Sequence, residues 1–444
     1  MGRVLAVLLL LLAGGCTAGD VDREDDDLPR REPVWSVSVP TAWGLVSAAA
    51  VHGDVVVART HEGVGALRRD NGAVVWFQRG FSGLSDRVYV IGDAVVVIGG
   101  SVTIDGLRIH DLTTGTVRFT RQRSLRSAVV TKAGLVVAGC ASGQGPCTVS
   151  RLDLASGQPS WERVVPALVD LLPAGAGTTR AFTADSLIPD RSGPFDPPPV
   201  SVVLVDQRSD AQWTLASFDA TTGRTLAETP RTARLTQLPV TDQRYLSWDS
   251  TADGCPLPVN GHDPASGTQR WTVVVGQWSL VTVVTDREAC DSKWRPAVAG
   301  SRLLAMTPQE QPLVVDLADG RPLWTGPAGS HLLGLAGDVA VTQADHRRGD
   351  LAGTRLDGSQ LWKRPMKRGV DRFAVVGSRF AYAAVEIGDG DAAMGLYVLE
   401  TATGAGWKAA GSHQLLGMGA GWVLGGTGSI WPSEGPTGVA LFTV

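Results

Sequence analysis

The chain carries almost no excess of charge, and this limits the partners it can have. Its 40 Lys and Arg residues are nearly balanced by 44 Asp and Glu residues, and lysine is scarce throughout. A protein that binds nucleic acid needs a basic face to meet the phosphates. We therefore expect no nucleic-acid partner.

The sequence also lacks the short motifs of common enzymes. It has no Gly-x-Ser-x-Gly elbow, no His-Glu-x-x-His zinc motif and no Gly-Lys-Ser/Thr phosphate loop. Glu386, Asp389 and Asp391 are carboxylates of the kind that calcium prefers, but they lack the spacing of a known calcium loop, so a solvated hairpin tip is favoured. His110 and His262 occupy the same place in two repeats and are expected to be packed side chains. We predict no catalytic residues, no metal site and no cofactor.

The apolar run at the N-terminus is too short to span a membrane as a mature helix. Arg3 precedes the run, residues 4–12, and small residues follow it up to Cys16. This order is typical of an export signal, and a Cys after small residues resembles the lipobox of bacterial lipoproteins. The pattern predicts a signal peptide over 1–16, lipidation of Cys16 and a location on the extracytoplasmic face of the cell membrane. A plain secretory signal is the alternative. Residues 17–33 mix charges without apolar periodicity and are predicted to be a disordered tether.

Cysteine is sparse, with 5 residues in all. An even number remains after Cys16, and in an exported chain this favours disulfides. Cys140 and Cys147 flank a predicted hairpin loop and can lie opposite each other across it. Cys255 and Cys290 then pair by default. Free thiols or zinc ligands are the weaker alternatives, because no Cys-x-x-Cys pair occurs.

A β-hairpin with a glycine at its corner is the most repeated feature of the chain. Asp153 opens a small polar turn that Gly157 closes, and Trp161 follows four residues later. Glycine supplies the positive φ of a tight turn, and tryptophan provides a large apolar anchor on the returning strand. The other turns end at Gly72 with Trp76, Gly115 with Phe119, Gly267 with Trp271, Gly320 with Trp324, Gly358 with Trp362, Gly404 with Trp407, and Gly223 without an aromatic residue.

Hairpins recurring about every forty residues, with apolar strands between them, predict an all-β fold with a single β-propeller over 34–444. The strand around Trp35 has no turn before it, and the strand around Leu441 has no Trp strand after it. We therefore expect the N-terminal strand to pair with the C-terminal blade. The turns and this split blade add up to nine, one above the usual limit. Because Gly223 lacks its aromatic residue and Trp407 comes one residue early, we predict eight four-stranded blades. Residues 190–200 are predicted to be an inserted Pro-rich loop.

The repeat resembles that of the PQQ-like β-propeller family, approximately Leu-Asp-x-x-Thr-Gly-x-x-x-Trp. The stretches from Leu152 to Trp161 and from Val315 to Trp324 match it closely. With the lipoprotein-like start, the chain is similar to the BamB-type group of lipid-anchored propellers, in which the propeller is a non-catalytic scaffold for partner proteins. The related quinoprotein dehydrogenases hold PQQ over the channel and carry adjacent cysteines and calcium ligands. No two cysteines are adjacent here. The composition, rich in Ala, Gly, Arg and Val, suggests an actinobacterium.

Four arginines stand at the start of predicted inner strands: Arg87, Arg126, Arg234 and Arg372. Inner strands surround the channel of a propeller, so these guanidinium groups can form a partial ring at one mouth and bind an anion. Ordinary pairing with nearby Asp residues is the alternative.

The sequence therefore predicts a monomeric, membrane-anchored propeller that binds an envelope protein or cell-wall component without catalysis. A PQQ-dependent dehydrogenase and a sensor that binds an anionic small molecule in the channel are the rival functions.

Overall fold

The structure is a computed structural model. It describes residues 28–80, 87–99, 106–121, 125–140, 146–165, 168–172, 182–183, 196–198, 200–209, 212–231, 235–249, 257–276, 297–344, 349–366, 370–387, 392–411, 413–428 and 436–444. Nearly all of these residues lie in antiparallel β-sheets or in the turns between their strands. None of the helices in these ranges is long and apolar enough to span a membrane.

Nine sheets follow one another along the chain, and we number them as blades 1 to 9. Blade 1 contains β3 (Val46–His52), β4 (Val55–Thr60), β5 (Gly63–Arg68) and β6 (Val74–Arg79); blade 2 contains β7 (Arg87–Ile91), β8 (Ala94–Gly99), β9 (Gly106–Asp111) and β10 (Val117–Arg121). Blade 3 contains β11 (Leu125–Thr131), β12 (Gly134–Cys140), β13 (Cys147–Leu152) and β14 (Pro159–Val165). Blade 4 contains β15 (Leu168–Leu172), β17 (Val202–Ser209), β18 (Gln212–Asp219) and β19 (Thr225–Arg231).

The second half of the chain repeats the same order. Blade 5 contains β20 (Leu235–Thr241), β21 (Arg244–Asp249), β22 (Leu257–His262) and β23 (Gln269–Val275); blade 6 contains β24 (Ala297–Ala299), β25 (Arg302–Met306), β26 (Pro312–Asp316) and β27 (Pro322–Thr325). Blade 7 contains β28 (His331–Ala336), β29 (Val339–Gln343), β30 (Leu351–Arg355) and β31 (Gln360–Arg364). Blade 8 contains β32 (Val370–Val376), β33 (Arg379–Ile387), β34 (Ala392–Glu400) and β35 (Gly406–Ala409), and blade 9 contains β36 (Gln414–Gly419), β37 (Trp422–Thr427), β38 (Gly438–Thr443) and β2 (Trp35–Ser38).

The all-β propeller fold is confirmed, but the prediction of eight blades is wrong, since there are nine. The two irregular turns that led to the prediction of eight blades both belong to complete blades. Gly223 lies between β18 and β19, and Gly404 lies between β34 and β35. The Gly223 hairpin is stabilised locally, because the Asp219 carboxylate accepts hydrogen bonds from the backbone N–H groups of Thr221 and Thr222 at 2.9 and 2.8 Å. An aromatic residue after the turn is therefore not required for a blade to form.

The cores lie between successive sheets, where apolar strands of neighbouring blades pack face to face. One such cluster joins Ala48 and Val57 of blade 1 to Val88 and Val95 of blade 2. The second strands are buried almost throughout, as in β4 and β8, whose residues are all buried. This explains their unbroken apolar sequences, because both faces of such a strand are covered.

Tryptophans after the turns join one blade to the next. Trp76 of blade 1 donates its indole N–H to Leu112 O of blade 2 at 2.9 Å, and Trp271 of blade 5 donates to Leu317 O of blade 6 at 3.0 Å. The acceptor is in each case the residue after the Asp that opens the next turn. The indole also covers the glycine of that turn, so that a Cβ on Gly115 would lie 2.4 Å from Trp76 Cγ. Glycine is thus needed there for space as well as for its positive φ of 69°.

The two ends of the chain share blade 9. Strand β2 pairs antiparallel with β38, and Trp35 lies opposite Leu441. Trp35 donates its indole N–H to Arg69 O of blade 1 at 2.7 Å, which is the same contact that Trp76 and Trp271 make to their next blades. Between β2 and β3, the 3₁₀ turn Thr41–Trp43 places a fully buried Trp43 against Phe77, with ring centroids 5.1 Å apart.

Residues 28–31, which precede strand β2 in the sequence, lie along the outer edge of blade 8. Strand β1 (Arg30–Arg31) pairs in parallel with β35, and Leu28 is buried among the core residues. Arg31 donates to Thr443 O at 2.6 Å and lies over the ring of Trp407. Within the predicted tether 17–33, Arg30 and Arg31 therefore form a short strand at the edge of a sheet.

An insertion in blade 4 separates β15 from β17. It contains β16 (Phe182–Thr183), which pairs antiparallel with the first strand of blade 8, so that Phe182 lies opposite Phe373. Farther along the insertion, Asp196 lies 3.9 Å from His52 of blade 1. Val200 is fully buried, and its carbonyl accepts a hydrogen bond from Lys132 N of blade 3 at 3.0 Å. Within the predicted Pro-rich loop, Asp196 therefore lies near blade 1 and Val200 lies against blade 3.

Candidate functional site

The first strands of neighbouring blades contact one another and line the axis of the propeller, as between β11 and β15 and between β32 and β36. Arg87, Arg126 and Arg372 all lie on such first strands, in blades 2, 3 and 8. Their placement near the start of each strand brings them to the same end of the axis. Arg234 falls outside the described residues.

Arg126 is already paired with a carboxylate of the next blade. Its guanidinium donates to the two carboxylate oxygens of Asp170 at 2.8 and 3.0 Å. Both side chains are partly exposed, at 34% and 49%. This bidentate geometry satisfies the fork of the guanidinium, so an incoming anion would have to compete with Asp170.

Arg87 differs, because its Nε atom is buried and has no hydrogen-bond partner in the described part of the chain. The backbone of Arg372 lies opposite Thr183 of the insertion. The anion-binding ring therefore stays a prediction, with one of its members engaged in an ion pair.

The cysteines that can be placed form the predicted hairpin bridge. Cys140 and Cys147 lie opposite each other at the ends of β12 and β13 and are joined by a disulfide, with Cα atoms 4.1 Å apart. The bridge is at the same end of blade 3 as Arg126. Cys16, Cys255 and Cys290 fall outside the described residues, so the lipidation and the second disulfide stay predictions.

The two histidines that share a place in the repeat support the turns. His110 Nδ1 lies 3.2 Å from Gly115 O, and His262 Nδ1 lies 3.4 Å from Gly267 O. Because a carbonyl only accepts, Nδ1 carries the proton in both rings. Burial lowers the pKa of His110 to about 4 and also lowers the pKa of His262. These are packed, neutral imidazoles in different blades.

One feature expected of the dehydrogenases that the repeat resembles, a pair of adjacent cysteines, is not found among the described residues. The bridged cysteines are separated by 7 positions and clip a hairpin, whereas those enzymes carry adjacent cysteines. In the described ranges no three His, Cys, Asp or Glu side chains gather as metal ligands. Of the carboxylates considered for calcium, Asp389 and Asp391 fall outside these ranges, and only the backbone of Glu386 is described.

One contact between blades is made without the aromatic side chain that follows the other turns, and sequence reasoning missed it. At the place of Trp161 or Trp271, blade 4 has Ala227, whose cross-strand partner is Ser217. The Ser217 hydroxyl donates to Pro264 O of blade 5, the carbonyl that a Trp would otherwise reach. The signal for this exchange was present in the sequence, because Gly223 is the turn without a following aromatic residue.

The comparison with protein families agrees with the sequence repeat. The family model for the outer membrane protein assembly factor BamB matches residues 21–256 and 257–414. No curated protein matches the sequence. Among solved structures, BamB from Moraxella catarrhalis is similar over 81% of this chain and 96% of its own, at 14% identity and a TM-score of 0.42. A quinohemoprotein alcohol dehydrogenase from Pseudomonas putida HK5 is similar over 84% and 72%, at 14% identity and a TM-score of 0.39. The computationally designed Ika8 protein is similar over 82% and 99%, at 13% identity and a TM-score of 0.45.

Proposed function

Because the chain belongs to the family of the outer membrane protein assembly factor BamB, we propose that it is a non-catalytic scaffold on the extracytoplasmic face of the cell membrane. It is anchored by lipid on Cys16 and binds an envelope protein or a cell-wall component as a monomer. The partner meets the loops and the outer edges of the blades, while the sheets provide a rigid support.

The observation that carries this proposal is that the insertion of blade 4 contacts the first strands of other blades, which line the axis. Strand β16 of the blade 4 insertion pairs with β32, the first strand of blade 8, and Asp196 lies 3.9 Å from His52 at the end of the first strand of blade 1. An enzyme of the quinoprotein type holds its cofactor over this channel. Here the insertion of blade 4 contacts the same region, which favours recognition at the periphery.

The start of the described chain supports attachment to a membrane through blade 8. Leu28 is buried, and Arg30 and Arg31 pair with β35. Between Cys16 and Leu28 an extended chain spans about 40 Å at most. A lipid on Cys16 would therefore keep the edge of blade 8 within that distance of the bilayer.

The anchoring is tested by replacing Cys16. In cells of the source organism, Cys16→Ser should abolish incorporation of labelled palmitate and move the protein from the membrane fraction to the soluble or secreted fraction. Thr17→Ala is the matched control and should keep both properties. Membrane retention of Cys16→Ser with no palmitate on the wild type would refute the anchor.

The absence of catalysis is tested on purified protein supplied with PQQ and Ca²⁺. We expect no cofactor absorbance retained after gel filtration and no dye reduction with primary alcohols or aldose sugars. Turnover in this assay would reject the scaffold proposal in favour of an oxidoreductase. If no turnover is seen, crosslinking in intact cells and identification of the crosslinked products would identify the partner of the scaffold.

A further inference from the structure

Strand β1 is a fifth strand on blade 8. The blade is complete without it, because β32 to β35 form the same four-stranded sheet as in the other blades. Blade 9 also has its four strands, since β2 supplies the last of them. In addition, β1 pairs in parallel with β35, whereas the four strands of blade 8 pair antiparallel with one another. Residues 28–31 are therefore an addition to the outside of a complete blade.

Backbone hydrogen bonds join these residues to the edge of the blade. Lys408 N donates to Pro29 O at 3.1 Å, and Ala410 N donates to Arg31 O at 2.9 Å. Both donors belong to the outer edge of blade 8, which β34 does not cover. This edge therefore offers the row of amide groups that an added strand requires.

Two side chains of the added segment are also bound by the propeller. Leu28 is only 7% exposed and belongs to the core cluster that contains Trp362 of blade 7. The Arg31 guanidinium donates to Thr443 O of blade 9 at 2.6 Å and lies 5.0 Å from the ring centroid of Trp407. An extended segment with an apolar residue, and an arginine three positions later, therefore fits this edge.

The segment buries little of its own surface. Strand β1 has only 2 residues, and parallel pairing is slightly weaker per residue than antiparallel pairing. Residues 29–32 are all exposed, so that Leu28 is the one apolar side chain of 28–32 that would be uncovered by release of the segment. Segments with few buried apolar contacts open locally at a low free-energy cost. The edge of blade 8 can therefore exchange this strand for another.

We propose that the outer edge of blade 8 is a docking site for an extended segment of a partner protein, and that residues 28–31 occupy this site until the partner displaces them. The partner segment carries an apolar residue followed three positions later by an arginine. It pairs with β35, its apolar side chain takes the place of Leu28, and its guanidinium donates to Thr443 O. The proposal rests on the proposed function as a protein-binding scaffold and names the site and the chemistry of its partner.

Displacement of the segment also changes the reach of the membrane anchor. Residues 28–33 then join the tether that leads to Cys16, and at about 3.3 Å for each residue they lengthen it by roughly 20 Å. The propeller can therefore stand farther from the bilayer when the partner is bound than when the site holds the chain's own segment.

The test uses the purified chain from residue 17 and a fluorescein-labelled peptide with the sequence of residues 26–33, Asp-Asp-Leu-Pro-Arg-Arg-Glu-Pro, in fluorescence anisotropy. The wild type should bind this peptide weakly, because its own segment competes at a high effective concentration. The double variant Leu28→Ala, Arg31→Ala weakens that competitor and should bind the peptide about tenfold or more tightly. A peptide with Ala in place of Leu and of the second Arg should bind the double variant about tenfold or more weakly than the unchanged peptide.

A control variant and a second measurement locate the site on the protein. Val34 follows the segment closely and is 55% exposed, so Val34→Ala is the matched control and should bind the peptide as weakly as the wild type. In hydrogen exchange, the amides of Lys408 and Ala410 should exchange faster in the double variant and slow again when the peptide is added. The amide of Gly404 donates to Glu400 O inside the turn and should not change.

Three outcomes would overturn the inference: equal affinity of the double variant and the wild type for the peptide, equal affinity of the double variant for the two peptides, or a wild-type dimer in light scattering that the double variant converts to monomer. The last outcome would assign the edge to the N-terminal segment of a second copy of this chain. None of these results bears on palmitate labelling or on dye reduction, so failure of the inference is distinguishable from failure of the proposed function.

Discussion

The contact between a turn glycine and the tryptophan of the preceding blade can be measured with a matched pair of substitutions. Gly320 and Gly329 have the same positive φ of 75°. A Cβ on Gly320 would lie 2.7 Å from Trp271 Cγ and 2.8 Å from Trp271 Cβ, whereas a Cβ on Gly329 would meet nothing within 4 Å. The two variants Gly320→Ala and Gly329→Ala therefore share the backbone strain and differ in the clash.

The expected magnitudes follow from these two contributions. A left-handed conformation costs an L-residue about 1–2 kcal/mol, and this is the whole cost expected for Gly329→Ala. In Gly320→Ala the indole of Trp271 must also move. It is only 8% exposed and donates to Leu317 O at 3.0 Å, so it cannot shift without strain in a packed seam and a weaker hydrogen bond. Overpacking costs about 1–3 kcal/mol and the hydrogen bond about 1 kcal/mol, so Gly320→Ala should cost about 2–4 kcal/mol more than Gly329→Ala.

The assay is urea unfolding followed by circular dichroism, with the free energy of unfolding obtained for each variant. The same two substitutions are then made in a Trp271→Ala background. If the clash with the indole is the cause, Gly320→Ala should cost no more than Gly329→Ala in that background. Equal costs in the wild-type background, or an excess cost that persists without Trp271, would refute this account of how the blades are joined.

Three further outcomes are expected. Because burial holds the pKa of His110 at about 4, below its ordinary 6.5, the folded protein keeps this ring neutral while the unfolded chain takes up a proton. The free energy of unfolding should then fall by on the order of 3 kcal/mol between pH 6.5 and pH 4, and this part of the pH dependence should be missing from His110→Leu; identical slopes would contradict it. The double variant Cys140→Ser, Cys147→Ser should lose up to ~2.5 kcal/mol of stability in urea unfolding, and an unchanged midpoint would show that the clip does not stabilise the fold. Asp170→Asn should cost ~1 kcal/mol or less, because its ion pair with Arg126 is partly exposed, and a loss well above that would mean that the pair is part of a larger network.

Much of the fold could be predicted because its hairpins are local. The turn from Asp153 to Gly157 needs only a side-chain oxygen for the turn backbone and a residue that tolerates positive φ, and both are visible in a few neighbouring letters. The disulfide of Cys140 and Cys147 follows for the same reason, since two cysteines flanking a hairpin loop can face each other. The family resemblance is confirmed on the same repeats.

The number of blades could not be obtained in this way. The absence of an aromatic residue after Gly223 suggested a repeat that did not form a blade, although the local hydrogen bonds of Asp219 suffice to make the hairpin. The missing contact is replaced by Ser217, which lies on the neighbouring strand and reaches blade 5. The sequence does not distinguish a strand serine that bonds a neighbouring blade from one that does not, because this contact forms only when the sheets are stacked.

The sequence by itself determined the hairpin repeat, the alternation of its strands and the residues that would corner each turn, since these depend on backbone preferences over a few positions. Only the tertiary structure decided the nine blades, the ion pair of Arg126 with Asp170, the approach of Asp196 to His52 and the hydrogen bond of Ser217 to Pro264 O. Each of these joins residues of different blades, and such contacts exist only after stacked sheets have brought distant parts of the chain together.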